Sequence, residues 1–352
     1  MKPECPKLEM TSIDKAYYER NLRNRIPDKI FDFHVHINLP EHILDISEAR
    51  IHSDWAFECG LILPCETAYH YAGQLFPDVQ YTIAGFPWPI QEAQLKENNH
   101  YLLEQKKSGF LTPFMAVRPD FSETYIEEQL PEFCGFKPYP DLVSGVKGAE
   151  ISIFSFLPHW QLDILNRHHK TVVIHLPRKG RIASSDNVKE LLEMRQKYPD
   201  IQIVIAHFGR SFTPVYLKCA LKQMGDDIAG FYFDTAAVLN PDVYSLAFEH
   251  LSLKQILYGT DAPIMLWHGR RRWTEQAYIN LVREPYSWNT HEEGEEIEAG
   301  YTFFLYEQMK VMLDLLDEMK LGEEVKNDLF YENAVRLLNL ESDNRQGTSE
   351  MK

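Results

Sequence analysis

Eight short apolar runs recur along the chain, most of them apolar on both faces rather than alternating. They are IFDFHVHI (30–37), ECGLILP (58–64), LTPFMAV (111–117), FCGFKPY (133–139), TVVIHL (171–176), IQIVIAHF (201–208), GFYFDTAAV (230–238) and QILYGTDA (255–262). Strands buried on both faces read this way, which predicts a parallel sheet covered by helices.

Helical signals fill the gaps between the later runs. In SSDNVKELLEMRQKYPD, Ser185 or Asp186 can cap, Val188, Leu191 and Leu192 share a face, and Pro199 stops the helix. Thr213-Pro214 and Asn240-Pro241 repeat a cap-then-proline start, with Leu217 and Leu221, then Val243, Leu246 and Leu251, as apolar stripes. Eight strand–helix units fit a (β/α)8 TIM barrel of about 230 residues, whereas a doubly wound sheet more often stops at five or six strands.

The barrel is expected over about 28–265, and residues 266–340 as a loop with extra C-terminal helices. The stretch 66–110 is the least regular. There AYHYAGQLFPDVQYTIAGFPWPI reads as an inserted loop or an extra strand near the second barrel position. With no repeat, low-complexity tract or Gly/Ser linker, a single domain over 1–352 is the expectation. The tail ESDNRQGTSEMK (341–352) reads as frayed.

Charge narrows the choice of partner. Lys+Arg number 36 against 52 Asp+Glu, a formal charge of -16, which repels nucleic acid and anionic membranes and leaves a small-molecule substrate as the default. No stretch is long and apolar enough for a membrane span or a signal peptide. The five cysteines form no C-x-x-C, so a disulfide scaffold is not indicated and a cytoplasmic location fits. A homodimer is the default assembly.

The chemistry gathers at the ends of the runs. Period-two alternation puts Phe31, Phe33 and Val35 on one face of the first strand and Asp32, His34 and His36 on the other. His175 closes the fifth run, His207 falls near the end of the sixth, and Asp261 near the end of the eighth. In a barrel, the C-terminal strand ends surround one point where active sites sit. Any one of these histidines, taken alone, reads as an ordinary half-buried, hydrogen-bonded residue. Five such donors at one point would be costly without a shared partner, and imidazoles with a carboxylate suit a divalent metal, zinc first, with manganese, iron or nickel as alternatives.

The segments DFHVH, VVIHLP, VIAHFG and LYGTDAP, with YENAVRLLNL near the C-terminus, resemble the amidohydrolase superfamily, in its amidohydrolase-related branch, over roughly 28–340. That resemblance implies a metal-dependent TIM-barrel enzyme. It carries over His34, His36, His175 and Asp261 as ligands of one divalent metal, and His207 as a residue that supports the ligands or polarises the substrate and becomes a ligand itself if two metals bind. A second metal would need a bridging group, often a carboxylated lysine, and Lys137 in GFKPYP stands near that place. The lysine reads more simply as an anion-binding residue.

A bound cation lowers the pKa of its water from about 15.7 toward 7. The expected reaction is hydrolysis of a C–N amide or cyclic amide bond, or of a lactone or ester, with Asp261 carrying the proton and His207 stabilising charge on the carbonyl oxygen. The alternative is a non-oxidative decarboxylase, resembling aminocarboxymuconate-semialdehyde decarboxylase. Arg178, Lys179 and Arg210 follow the later histidines, and Arg270 to Arg272 follow Asp261, which suggests a carboxylate-bearing substrate, with Arg178 and Arg210 the stronger candidates for contact. Asp234 is a candidate for orienting the histidines. Trp88, Trp267, Trp273, Tyr69 and His70 are weaker candidates for the pocket wall.

Overall fold

The computed structural model describes residues 4–52, 55–109, 111–143, 150–289 and 291–340, so the C-terminal tail expected to fray lies outside the described residues. Strands β1 (Lys29–His36), β2 (Gln80–Phe86) and β3 (Thr112–Pro113) pair in parallel in that order. A second parallel set runs β4 (Met115–Ala116), β5 (Gly135–Lys137), β6 (Thr171–Ile174), β7 (Gln202–Ile205), β8 (Tyr232–Asp234) and β9 (Ile256–Leu257).

Two seams join the sets. β3 and β4 are halves of one strand position interrupted at Phe114, whose N–H bonds to Gly85 O, while Cys134 N–H bonds to Pro113 O. On the other side, Phe33 N–H donates to Tyr258 O and His36 N–H to Ala262 O, each at 2.8 Å, and Val35 bridges Ala262 in parallel. Eight strand positions therefore close on themselves as a TIM barrel, which leaves the barrel sheet without an edge.

The expected second strand is displaced. ECGLILP holds only an isolated bridge between Leu63 and Asn38, and the second barrel position is taken by QYTIAGF, inside the segment that reads as irregular. Residues 60–63 are buried without strand pairing along their length. An apolar run reports burial, and burial is common to packed loops and central strands.

Phe31, Phe33, Ala84, Phe86, Phe114, Val173, Val204, Ala206 and Leu257 form one buried cluster, floored by Tyr331, Ala334, Val335 and Leu337 from the C-terminus. Alternate residues of the strands fill the barrel in this way. Helices cover the outside, among them Ser185–Lys197, Pro214–Met224, Pro241–His250 and Phe304–Glu318. Asn240 caps its helix by accepting from Asp242 N–H, whereas Ser184, rather than Ser185 or Asp186, holds the cap position of Ser185–Lys197. Among the described residues no helix is long and apolar enough to cross a membrane. All five cysteines are free thiols.

After β9 the chain makes an antiparallel hairpin of β10 (Gly269–Trp273) and β11 (Tyr278–Val282), where a loop is expected from the sequence. Its alternation sorts the three consecutive arginines. Arg270 and Arg272 both pair with Glu293, while Arg271 turns the other way, toward the barrel mouth.

Candidate metal centre

A cavity of about 230 Å³ opens at the C-terminal ends of the strands, lined by His34, His36, His175, His207 and Asp261. A larger hollow elsewhere, about 700 Å³, holds none of these five residues, so size does not mark the chemistry here.

The first strand delivers two histidines through a defect. Between Asp32 and Val35 the β1–β2 register shifts, so that three steps along β1 oppose two along β2. Strict alternation fails there. Phe31 and Phe33 belong to the barrel interior, Val35 packs in the outer core, and His34 and His36 both lie against the ring of Phe86, at 4.9 and 5.0 Å. Asp32, expected beside the histidines, accepts instead from Tyr81 Oη (2.8 Å), Thr260 Oγ1 (2.6 Å) and Thr260 N–H (2.9 Å). It is a tie between β1 and the loop after β9.

Three lone-pair atoms converge. Asp261 Oδ1 stands 3.4 Å from His34 Nε2 and 3.3 Å from His36 Nε2, and the ligand atoms of the three residues all lie within 4.8 Å of one another. Asp261 itself sits at φ 73, a left-handed conformation that an aspartate tolerates better than most residues. Behind this cluster, Asp234 accepts from His34 Nδ1 (2.8 Å) and from the backbone N–H of His207 (2.7 Å) and Ala236 (3.1 Å). The proton of His34 is thereby fixed on Nδ1, leaving Nε2 as an acceptor turned toward Asp261.

Burial sets the protonation states. It holds His34, His36 and His175 well below the ordinary histidine range and takes His207 to about 3, so all four imidazoles are neutral near neutral pH and each keeps one lone pair, that of His34 facing Lys137 Nζ at 3.1 Å. Burial also pushes the Asp261 carboxyl well above its usual range, a shift that a cation beside it would reverse. Neutral imidazoles facing a carboxylate fit a divalent metal ion held by His34, His36 and Asp261.

The other expected site residues divide. His175 lines the cavity, its Nε2 3.5 Å from Tyr139 Oη, but falls outside the tight ligand cluster. His207 lies close, its ring 4.8 Å from that of His34, and its Nδ1 donates to Ala236 O at 2.8 Å. Nε2 of this neutral ring is therefore an acceptor, which does not suit the expected stabilisation of negative charge on a carbonyl oxygen. The backbone around it, His207-Phe208-Gly209-Arg210, is left-handed at every residue, and a Cβ on Gly209 would stand 2.4 Å from Ile182 Cβ.

Lys137 is not part of the cavity lining. It is fully buried, its Nζ 3.1 Å from His34 Nε2 and 4.2 Å from the centre of the Phe86 ring, and burial takes its pKa down to about 8. Arg178 is also turned away, with two bonds to Glu190 at 2.9 and 2.7 Å. Arg210 does line the cavity, anchored on Leu176 O at 3.1 Å. Trp88 forms part of the wall, 3.9 Å from the His36 ring, whereas Trp267, Trp273, Tyr69 and His70 do not line it. Arg271 and Tyr278 are the wall residues least legible from sequence, since both depend on the hairpin folding back. The alternation of Arg270, Arg271 and Arg272 would have separated the inward arginine, had a strand been expected there.

A closed parallel barrel with neutral histidines and a carboxylate at its mouth defines a metal-dependent TIM-barrel enzyme. The chain belongs to the amidohydrolase family, whose model matches residues 73–340. Solved structures share the fold at low identity. 2,6-Dihydroxybenzoate decarboxylase, in complex with 2,6-dihydroxybenzoate, is 13% identical with a TM-score of 0.51, covering 89% of this chain and 99% of its own. 4-Oxalomesaconate hydratase from Rhodopseudomonas palustris is 13% identical with a TM-score of 0.51, covering 88% and 95%. A probable 2-pyrone-4,6-dicarboxylic acid hydrolase from Acinetobacter baumannii, with citric acid bound, is 13% identical with a TM-score of 0.51, covering 88% and 99%. No curated protein sequence matches the chain.

Proposed function

We propose that the protein is a hydrolase that opens a C–N amide, cyclic amide, lactone or ester bond in a small carboxylate-bearing substrate, using one divalent metal ion, zinc in the first instance. The observation that carries this reading is the convergence of His34 Nε2, His36 Nε2 and Asp261 Oδ1 on one point of a cavity that also receives the Arg210 side chain. Those three residues, with His175 also lining the cavity, would hold the ion, which when bound would supply an acidified water and polarise a carbonyl.

The protein's own groups do the rest. Asp261, whose Oδ1 stands beside Nε2 of both His34 and His36, would take a proton from the attacking water and pass it to the leaving group. His207, its Nδ1 proton committed to Ala236, accepts a hydrogen bond from that water through Nε2 and orients it. Arg210 faces the substrate carboxylate.

The test is a panel of carboxylate-bearing lactones and amides given to zinc-loaded protein, with acid release followed by pH-stat and carbon dioxide measured alongside. Acid release without carbon dioxide is expected, and Asp261→Asn should lose about 10²- to 10⁴-fold in kcat/KM. Carbon dioxide release without net water addition would replace this reading with decarboxylation. Near-wild-type turnover by Asp261→Asn with metal bound would remove the proton-carrying role.

A further inference from the structure

We propose that Arg271, carried on the β10–β11 hairpin, binds the substrate's anionic group together with Arg210 and decides which substrates the site accepts. The inference rests on the reading of a carboxylate-bearing substrate and names the residue that selects it.

Charge accounting separates these two arginines from their neighbours. Arg178 pairs with Glu190, and Arg270 and Arg272 share Glu293. Arg271 is 6% exposed and lines the metal cavity, yet among the described residues neither it nor Arg210 forms an ion pair with an Asp or Glu. Asp261 attracts Arg271 without forming an ion pair with it, and a metal would claim that carboxylate, so the buried guanidinium is expensive to keep unless another anion completes it. Arg271 and the half-buried Arg210 face one cavity in a protein of net charge -16, where acidic side chains are plentiful.

The guanidinium of Arg271 is also held in place. Nε donates to Asn280 Oδ1 at 2.8 Å and one terminal nitrogen to Ala237 O at 2.6 Å, while the group lies over the Tyr278 ring, 4.4 Å from its centre. The second terminal nitrogen has no hydrogen-bond partner among the described residues. Both hydrogen-bonded anchors are neutral acceptors, so they orient the fork without cancelling its charge. Phe212, 5.1 Å from the Tyr278 ring, completes a wall that suits the flat body of an organic acid. Because the hairpin is an excursion after the last barrel strand, it can select substrates without altering the metal ligands.

Benzoate and its neutral isostere benzamide are suitable probes, titrated calorimetrically into zinc-loaded protein. Wild type should prefer benzoate by at least tenfold. Arg271→Met should weaken benzoate at least tenfold and leave benzamide within twofold, and Arg271→Lys, which keeps charge but loses the fork, should fall between. If Arg271→Met does not fold, Arg271→Lys decides, with a loss of at least threefold expected for benzoate alone. Absence of benzoate binding to wild type, equal binding of the two probes, or variants that hold benzoate within twofold would each overturn the proposal. A merely structural Arg271 would weaken both probes together. Discrimination through Arg271 in a protein that hydrolyses nothing in the lactone and amide panel would sink the hydrolase reading and leave the anion site standing.

Discussion

Nδ1 of His34 lies 2.8 Å from Oδ2 of Asp234, a contact between residues 200 positions apart in the chain. It links β1 to β8 past the intervening β9 and fixes which nitrogen of His34 faces Asp261. Asp234 accepts two backbone N–H groups as well, so the carboxylate is surrounded by donors. Asp234→Asn would put an amide N–H among them, favouring the other tautomer of His34 and blocking its Nε2. Metal affinity should fall about 10- to 100-fold. Zinc competition against a chromophoric chelator measures this, and unchanged affinity would show that His34 does not depend on Asp234.

The four buried imidazoles make a prediction about acid. An ordinary histidine titrates near 6.5, whereas His34, His36 and His175 titrate well below that in the folded protein and His207 at about 3. Below about pH 6.5 the unfolded chain therefore binds protons that the native site refuses, and stability falls as pH drops from 7 toward 5. Asp32, raised to about 6 by burial, and Asp261, also raised, bind protons in the native state and offset part of the slope. In chelator-treated protein, His36→Gln should flatten the pH dependence of unfolding by up to about 1.4 kcal/mol per pH unit, one proton's worth. Denaturant titrations at pH 5, 6 and 7 read this slope.

Much of this is legible in the sequence. His34, His36, His175, His207 and Asp261 stand near strand ends in the sequence, and all five line one cavity. The barrel, too, follows from the run-and-helix rhythm, because burial on both faces leaves a mark on composition. What failed was local. The extra residue in β1 cannot be seen in IFDFHVHI, since a bulge keeps the same residues and changes only their phase, and so Asp32 was grouped with the histidines although it ties to Thr260 and Tyr81. Arg178 looked as good as Arg210 because each follows a site histidine, and Glu190, the residue that separates them, lies on the next helix. Arg271 needed the hairpin.

Away from the cavity, His268 ties three parts of the chain together. Its Nε2 is 3.0 Å from Asp14 Oδ2 and its Nδ1 2.8 Å from Glu284 Oε1, while Asp14 also accepts from Thr302 Oγ1 and caps the N-terminal helix Ser12–Asn21 with Thr11. Burial opposes the charge, but hydrogen bonds to a carboxylate on each nitrogen outweigh it and raise the pKa above the ordinary value. A raised native pKa gives stability that is fully present below about 6.5 and is lost as pH climbs through the native value. His268→Ala leaves Asp14 buried without its cation, so it should cost about 3–5 kcal/mol at pH 6. At pH 9 the same substitution should cost measurably less. Paired urea titrations of wild type and variant at the two pH values check this, and an equal cost at both would mean that His268 acts as a neutral spacer.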